Sequence, residues 1–118
     1  MELDQLNEEL LIWAGFVKAD IKKAYYWVRC DRKAKWIAPG HQRPDKPLYF
    51  PDDIKACFDW LVPKLWTCEM RLLEGGLFTW LVGCLGYGPN VDGLGHNNPA
   101  TALCLAVKKM LDNKLSLS

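Results

Sequence analysis

Histidine is nearly absent from this 118-residue sequence, and the two present, His41 and His96, lie 55 positions apart. Neither has a cysteine at ligand spacing. The five cysteines (30, 57, 68, 84 and 104) include no C-x-x-C pair, so the pattern argues against a structural zinc site. Their odd number and their placement in apolar runs suit buried free thiols in a reducing compartment. No uninterrupted apolar run approaches the roughly 20 residues of a membrane-spanning helix. The start of the chain is acidic and amphipathic rather than basic and apolar, so no signal peptide is expected. A net charge of +1 argues against a protein built to coat nucleic acid. There is no internal repeat and no low-complexity tract. With half the residues hydrophobic and six tryptophans, the chain is expected to fold as one ordered, cytoplasmic domain over residues 1–118.

The strongest positive signal lies near the end. In Asn98-Pro-Ala-Thr-Ala-Leu-Cys-Leu-Ala-Val-Lys-Lys-Met-Leu111 the apolar residues Ala102, Leu103, Ala106, Val107, Met110 and Leu111 recur at spacings of three and four. Asn98 suits an N-cap, and Pro99 suits the first helical position, where its missing N–H is not needed. Lys108, Lys109 and Lys114 are placed to meet the negative pole of the helix dipole. A glycine-rich loop, Gly86 to Asn97, leads into this helix.

Upstream, Leu3, Leu6, Leu10, Trp13 and Val17 mark a helix over about 4–14, with Asp4 as its cap and Gly15 as its stop. Short strands are expected at 16–19, 24–30 and 35–38, the last two forming a hairpin. Four prolines and one glycine punctuate 39–51 (Pro39, Gly40, Pro44, Pro47 and Pro51) and describe an irregular connector. Asp52 or Asp53 caps a second helix that Pro63 should end near Val62. Strands at 67–73 and 77–85 flank the turn Glu74-Gly75-Gly76, and Val91 to Leu94 could add an edge strand. The order α-β-β-α-β-β-(β)-α predicts an α+β fold, an antiparallel sheet of four to five strands covered by three helices.

Three phrases carry a family likeness: Trp13-Ala-Gly-Phe16, Asp53-Ile-x-Ala-x-Phe58 and, most specifically, Asn98-Pro-Ala-Thr-Ala-Leu-Cys-Leu-Ala106. Together with the element order they resemble the phage ABA-sandwich domain family of bacteriophage and prophage proteins. The resemblance spans most of the chain, with the connector at 39–51 as a departure. It implies a sheet covered on both faces, a phage origin and a host-directed or accessory role. It brings no catalytic residues and no cofactor.

Two regions are candidates for contact. Residues 18–35 hold seven basic against two acidic side chains, a local excess of +5. Within and beside this run, Tyr25, Trp27, Arg29, Arg32, Lys33, Lys35, Trp36, His41 and Arg43 interleave aromatic and cationic groups suited to a protein partner. Trp13, Trp60, Trp66 and Trp80 fall in helix or strand patterns and are expected in the core. The second region is the loop before the last helix, with Tyr87, Asn90, Asp92, His96, Asn97 and Asn98 as polar and aromatic contacts for a nucleotide at the helix N-terminus. Gly93-x-Gly95-x-x-Asn98 only partly matches a dinucleotide fingerprint, because the third glycine is missing and no parallel β-α-β unit surrounds it. A double-stranded-RNA module would place lysines at the start of the helix, where this chain has His96-Asn-Asn-Pro99. A hydrolase pairing His96 with Asp92 or a cysteine is the least favoured reading. The expectation is a non-enzymatic inhibitor of a host or anti-phage defence protein, with a sequestered nucleotide as the alternative. A homodimer is compatible with the apolar surface of three short helices.

Overall fold

The computed structural model describes residues 3–19, 28–29, 35–37, 48–87, 89–93 and 95–117. The fold is α+β, and the chain divides into two compact units, Met1–Tyr49 and Phe50–Ser118. Among the described residues the strands form two three-stranded antiparallel sheets rather than one sheet of four to five.

In the first unit, helix α1 (Leu3–Trp13) precedes strands β1 (Val17–Ala19), β2 (Val28–Arg29) and β3 (Lys35–Ile37). The strands lie in the order β1-β3-β2, with Arg29 opposite Lys35 and Lys18 opposite Trp36. The buried stripe of α1 is Leu6, Asn7, Leu10, Leu11 and Ala14, rotated from the expected one. Leu3 is partly exposed, and Leu11 replaces Trp13 on the inner side. The polar member of the stripe, Asn7, donates through Nδ2 to the Leu48 carbonyl at 3.4 Å. Asp4 lies inside the first turn rather than at the cap, and Tyr49 donates its hydroxyl to it at 2.6 Å.

The second unit opens with a 3-10 turn at Phe50–Asp52 and helix α2 (Ile54–Trp60). Asp53 caps α2 by accepting the Ala56 N–H at 3.2 Å. As the proline requires, α2 gives way to a second 3-10 turn, Val62–Lys64. Strands β4 (Thr67–Leu73), β5 (Leu77–Gly83) and β6 (Val91–Asp92) follow in that spatial order. Leu73 pairs with Leu77, so Glu74, Gly75 and Gly76 close the hairpin, and both glycines hold left-handed backbone (φ 81° and 76°).

Helix α3 (Pro99–Leu117) is the centre of this unit. Ala100 to Cys104, Ala106, Val107 and Met110 are all buried, so its first half is enclosed on more than one side. It packs on β5 and β6 and also against α2 and the 50–52 turn. Because the helix runs on to Leu117, Lys108 and Lys109 sit mid-helix rather than at its negative pole. Lys108 pairs with Asp112 at 2.9 Å, and Lys109 donates to the Asp92 carbonyl at 2.9 Å. Trp80 and Val82 on β5 are buried, and the Trp80 indole N–H donates to the Pro99 carbonyl at 3.0 Å. No helix among the described residues is long and apolar enough to cross a membrane.

Candidate interaction surface

Several groups in the loop before α3 have partners that follow from their neighbours. Cys84 and Tyr87 close a turn through their backbones at 3.1 Å. Asn90 lies over Gly83, filling the space in which any side chain there would sit. Asp92 faces Arg71 at 3.7 Å, an exposed pair worth at most about 1 kcal/mol. His96 joins the sheet as a single bridge, exchanging backbone hydrogen bonds with Phe78 at 2.7 and 2.9 Å. Its Nδ1 accepts the Asn98 N–H at 2.9 Å, which places the ring proton on Nε2 in the neutral form. Asn97 is exposed.

The helix start itself is closed. Asn98 Oδ1 accepts from Ala100 N (2.9 Å) and Thr101 N (3.4 Å), and the Asn98 carbonyl accepts from Ala102 N (2.9 Å). Pro99 has no N–H to give. The donors that an anion would need at this end are therefore committed to the cap. The cap at Asn98 and the proline at the first helical position stand where the sequence put them.

No hydrogen bond among the described residues joins His96 to Asp92 or to a cysteine. Cys57, Cys68 and Cys104 are also poorly set for attack. Cys57 and Cys104 are buried with their sulfurs 3.8 Å apart, and Cys57 donates to the Phe50 carbonyl at 3.2 Å. Burial, then the hydrogen bond and charge of Cys57, then the charge of Asp52 push the Cys104 thiol well above the ordinary range. Burial first and Cys57 second raise Cys68. Raised thiols carry little thiolate and are weak nucleophiles. For Cys104 the sign of the linkage is fixed. The folded state holds its proton more tightly, so stability is unaffected below the unfolded thiol value and falls as pH rises beyond about 8.5. Urea unfolding between about pH 7.5 and 10 should show this decline, with a slope of at most about 1.4 kcal/mol per pH unit for one thiol. The slope should be shallower in Cys104→Ala; equal slopes would remove Cys104 as its source.

Of the residues assigned to the basic hairpin, Tyr25, Trp27, Arg32, Lys33, His41 and Arg43 lie outside the described residues. The backbones of Arg29 and Lys35 are register partners. Trp36, assigned to the same surface, sits on the central strand of its sheet and is fully buried.

The exposed aromatic is instead Trp66, expected in the core but 77 % exposed. It falls between the 62–64 turn and β4, outside the regular alternation, and its N–H reaches the Gly83 carbonyl at 2.7 Å. Other large apolar residues of this unit are also exposed, among them Phe58, Met70, Leu72 and Leu85 (47, 49, 68 and 82 % exposed). Phe58 stands edge-on to Trp80, ring centroids 6.0 Å apart. Met70 is the register partner of Trp80 and Leu72 of Phe78, so they share that face of the sheet. The opposite face of β4 carries Glu69 and Arg71, 4.0 Å apart. The signal for this was in the sequence: Cys-Glu-Met-Arg-Leu alternates apolar and charged residues, as a strand with one wet face does. Comparison with protein-family models, with curated proteins and with solved structures gave no match.

Proposed function

We propose that this protein is a non-enzymatic binding protein that acts by protein–protein contact, a phage- or prophage-encoded inhibitor or modulator of a host or anti-phage defence component. The phage attribution and the ABA-sandwich family rest on the sequence phrases at 13–16, 53–58 and 98–106. The binding role rests on one observation above all. Trp66, Leu72 and Leu85 are large apolar side chains left mostly in water. Large apolar side chains left exposed on a folded protein are what protein interfaces use. The basic aromatic segment at 24–38 and the connector at 39–51 are a second proposed contact region, carried by the sequence reading alone.

The test is capture of partners from bacterial lysate by the tagged protein, with mass spectrometry of the proteins and small molecules retained. A stoichiometric protein partner is expected. Its capture should fall at least about tenfold when Arg29, Arg32, Lys33 and Lys35 are all reversed to glutamate, as loss of several complementary charges at an interface predicts. Undiminished capture would remove the hairpin from the site. A co-purifying nucleotide without a protein, with a thermal shift lost in His96→Ala or Asn97→Ala, would replace the proposal with the nucleotide reading.

A further inference from the structure

β4 is the outer strand of its sheet, and no strand among the described residues pairs with its far side. The direction of its peptide groups follows from β5. Phe78 exchanges both backbone hydrogen bonds with His96, and the Trp80 carbonyl accepts from Gly93 N at 3.0 Å. Residues 78 and 80 therefore turn their peptide groups away from β4. By alternation, Leu77, Thr79, Leu81 and Gly83 turn theirs toward it. Their register partners Leu73, Arg71, Glu69 and Thr67 bond inward, which leaves the N–H and C=O groups of Cys68, Met70 and Leu72 on the open edge. Edge strands in monomeric proteins are usually blunted by proline, lysine or a mid-strand bulge. The stretch Thr67–Leu73 has neither proline nor lysine.

From this edge we infer that the protein forms a symmetric homodimer in which β4 pairs antiparallel with β4 of a second copy, about a two-fold axis at Met70. The charges choose both the occupant and the register. Centred on Met70, the pairing sets Cys68 opposite Leu72 and Glu69 opposite Arg71, twice each by symmetry, and Met70 opposite Met70 once, on the axis. The outward peptide groups then form about six hydrogen bonds in three narrow pairs. Glu69 and Arg71 fall in the pairs between them, where side chains approach most closely. A slide of two residues one way sets Glu69 against Glu69. The same slide the other way sets Arg71 against Arg71. A slide of one residue puts the apolar face against the charged one. Only the Met70-centred register satisfies charge, polarity and backbone together. The Arg71 contacts within one copy, at 3.7 and 4.0 Å and half exposed, hold it only loosely. The pairing also joins the Met70 and Leu72 strips of the two copies into one apolar band.

Sedimentation of the full chain with reductant, from about 1 to 200 µM, tests this across the affinity range of ordinary dimers. The wild type should sediment at twice the 13.5 kDa chain mass. Glu69→Arg alone and Arg71→Glu alone each set like charges opposite one another, and each should weaken the dimer roughly tenfold to a hundredfold. Mixed in equal amounts, the two variants place opposite charges in both pairs, and the heterodimer should form. Met70→Pro removes an N–H that the sheet does not use, so it should give a folded monomer by circular dichroism. A monomeric wild type would overturn the inference and leave the edge to a strand of another protein. Dimers that persist in all three variants, or a mixture that stays monomeric beside a dimeric wild type, would overturn it equally.

Discussion

Trp80→Ala should lower the unfolding free energy by about 3–5 kcal/mol, the range for removing a large buried aromatic side chain. Trp80 is almost fully buried in the middle of β5, where its ring meets the edge of Phe58 and its indole N–H reaches the first carbonyl of α3. One side chain therefore ties strand, α2 and α3 together within the second unit. Two losses add in the alanine variant: the apolar area and the cavity it leaves. Trp80→Phe separates these from the polar link. It keeps most of the packing and drops the donor to Pro99, and should lose only about 1–2 kcal/mol. Urea unfolding of the full chain followed by far-ultraviolet circular dichroism measures both, and avoids the overlapping emission of six tryptophans. A Trp80→Ala loss below about 1 kcal/mol would mean that α3 is held by something other than this contact. Set against a total of about 5–15 kcal/mol for a domain, the expected loss is large enough to lower the yield of folded protein.

How much of this was legible in the sequence depended on whether the deciding interaction was local. Asn98 with Pro99, Asp53 with Ala56, and Gly75-Gly76 act within four residues of themselves, and the ends and turns they dictate are where the sequence put them. Pro63 likewise ended α2 on local grounds. What the sequence could not show is which strand is central. Trp36 and Trp66 are both aromatic residues beside strand patterns, and the sequence assigned them the reverse of their observed environments. Trp36 is buried because β3 lies between β1 and β2, and Trp66 is exposed because it precedes an edge strand. Strand order is set by contacts between distant residues, so no window of sequence carries it. The same holds for the loop residues. Their polarity was visible, but that Asp92 turns to Arg71 and His96 to Asn98 was not.

Gly93 shows this most sharply, and its substitution should have the second large effect. In the sequence it was half of a weak phosphate-loop pattern or a residue needed to turn. Its role in the structure is neither. Gly93 lies where β6 passes α3, and a Cβ built on it would stand 2.6 Å from the Cβ and 2.9 Å from the Cα of Ala106. Both atoms belong to the fully buried part of a helix and cannot swing aside as the tip of a long side chain would. Gly93→Ala must therefore push strand and helix apart, and should lose about 1–3 kcal/mol despite the entropy that alanine removes from the unfolded chain. Gly93→Val should lose more. Ala106→Gly should not rescue Gly93→Ala fully, because the Cα remains in the way. Gly83 supplies the control. A Cβ there also collides, but with the exposed Asn90 side chain, which is free to rotate outward. Gly83→Ala should therefore stay within about 1 kcal/mol of the wild type. Equal losses at the two positions in urea unfolding would show that α3 yields as easily as a surface asparagine, and that the close passage of β6 over Ala106 does not hold this layer in place.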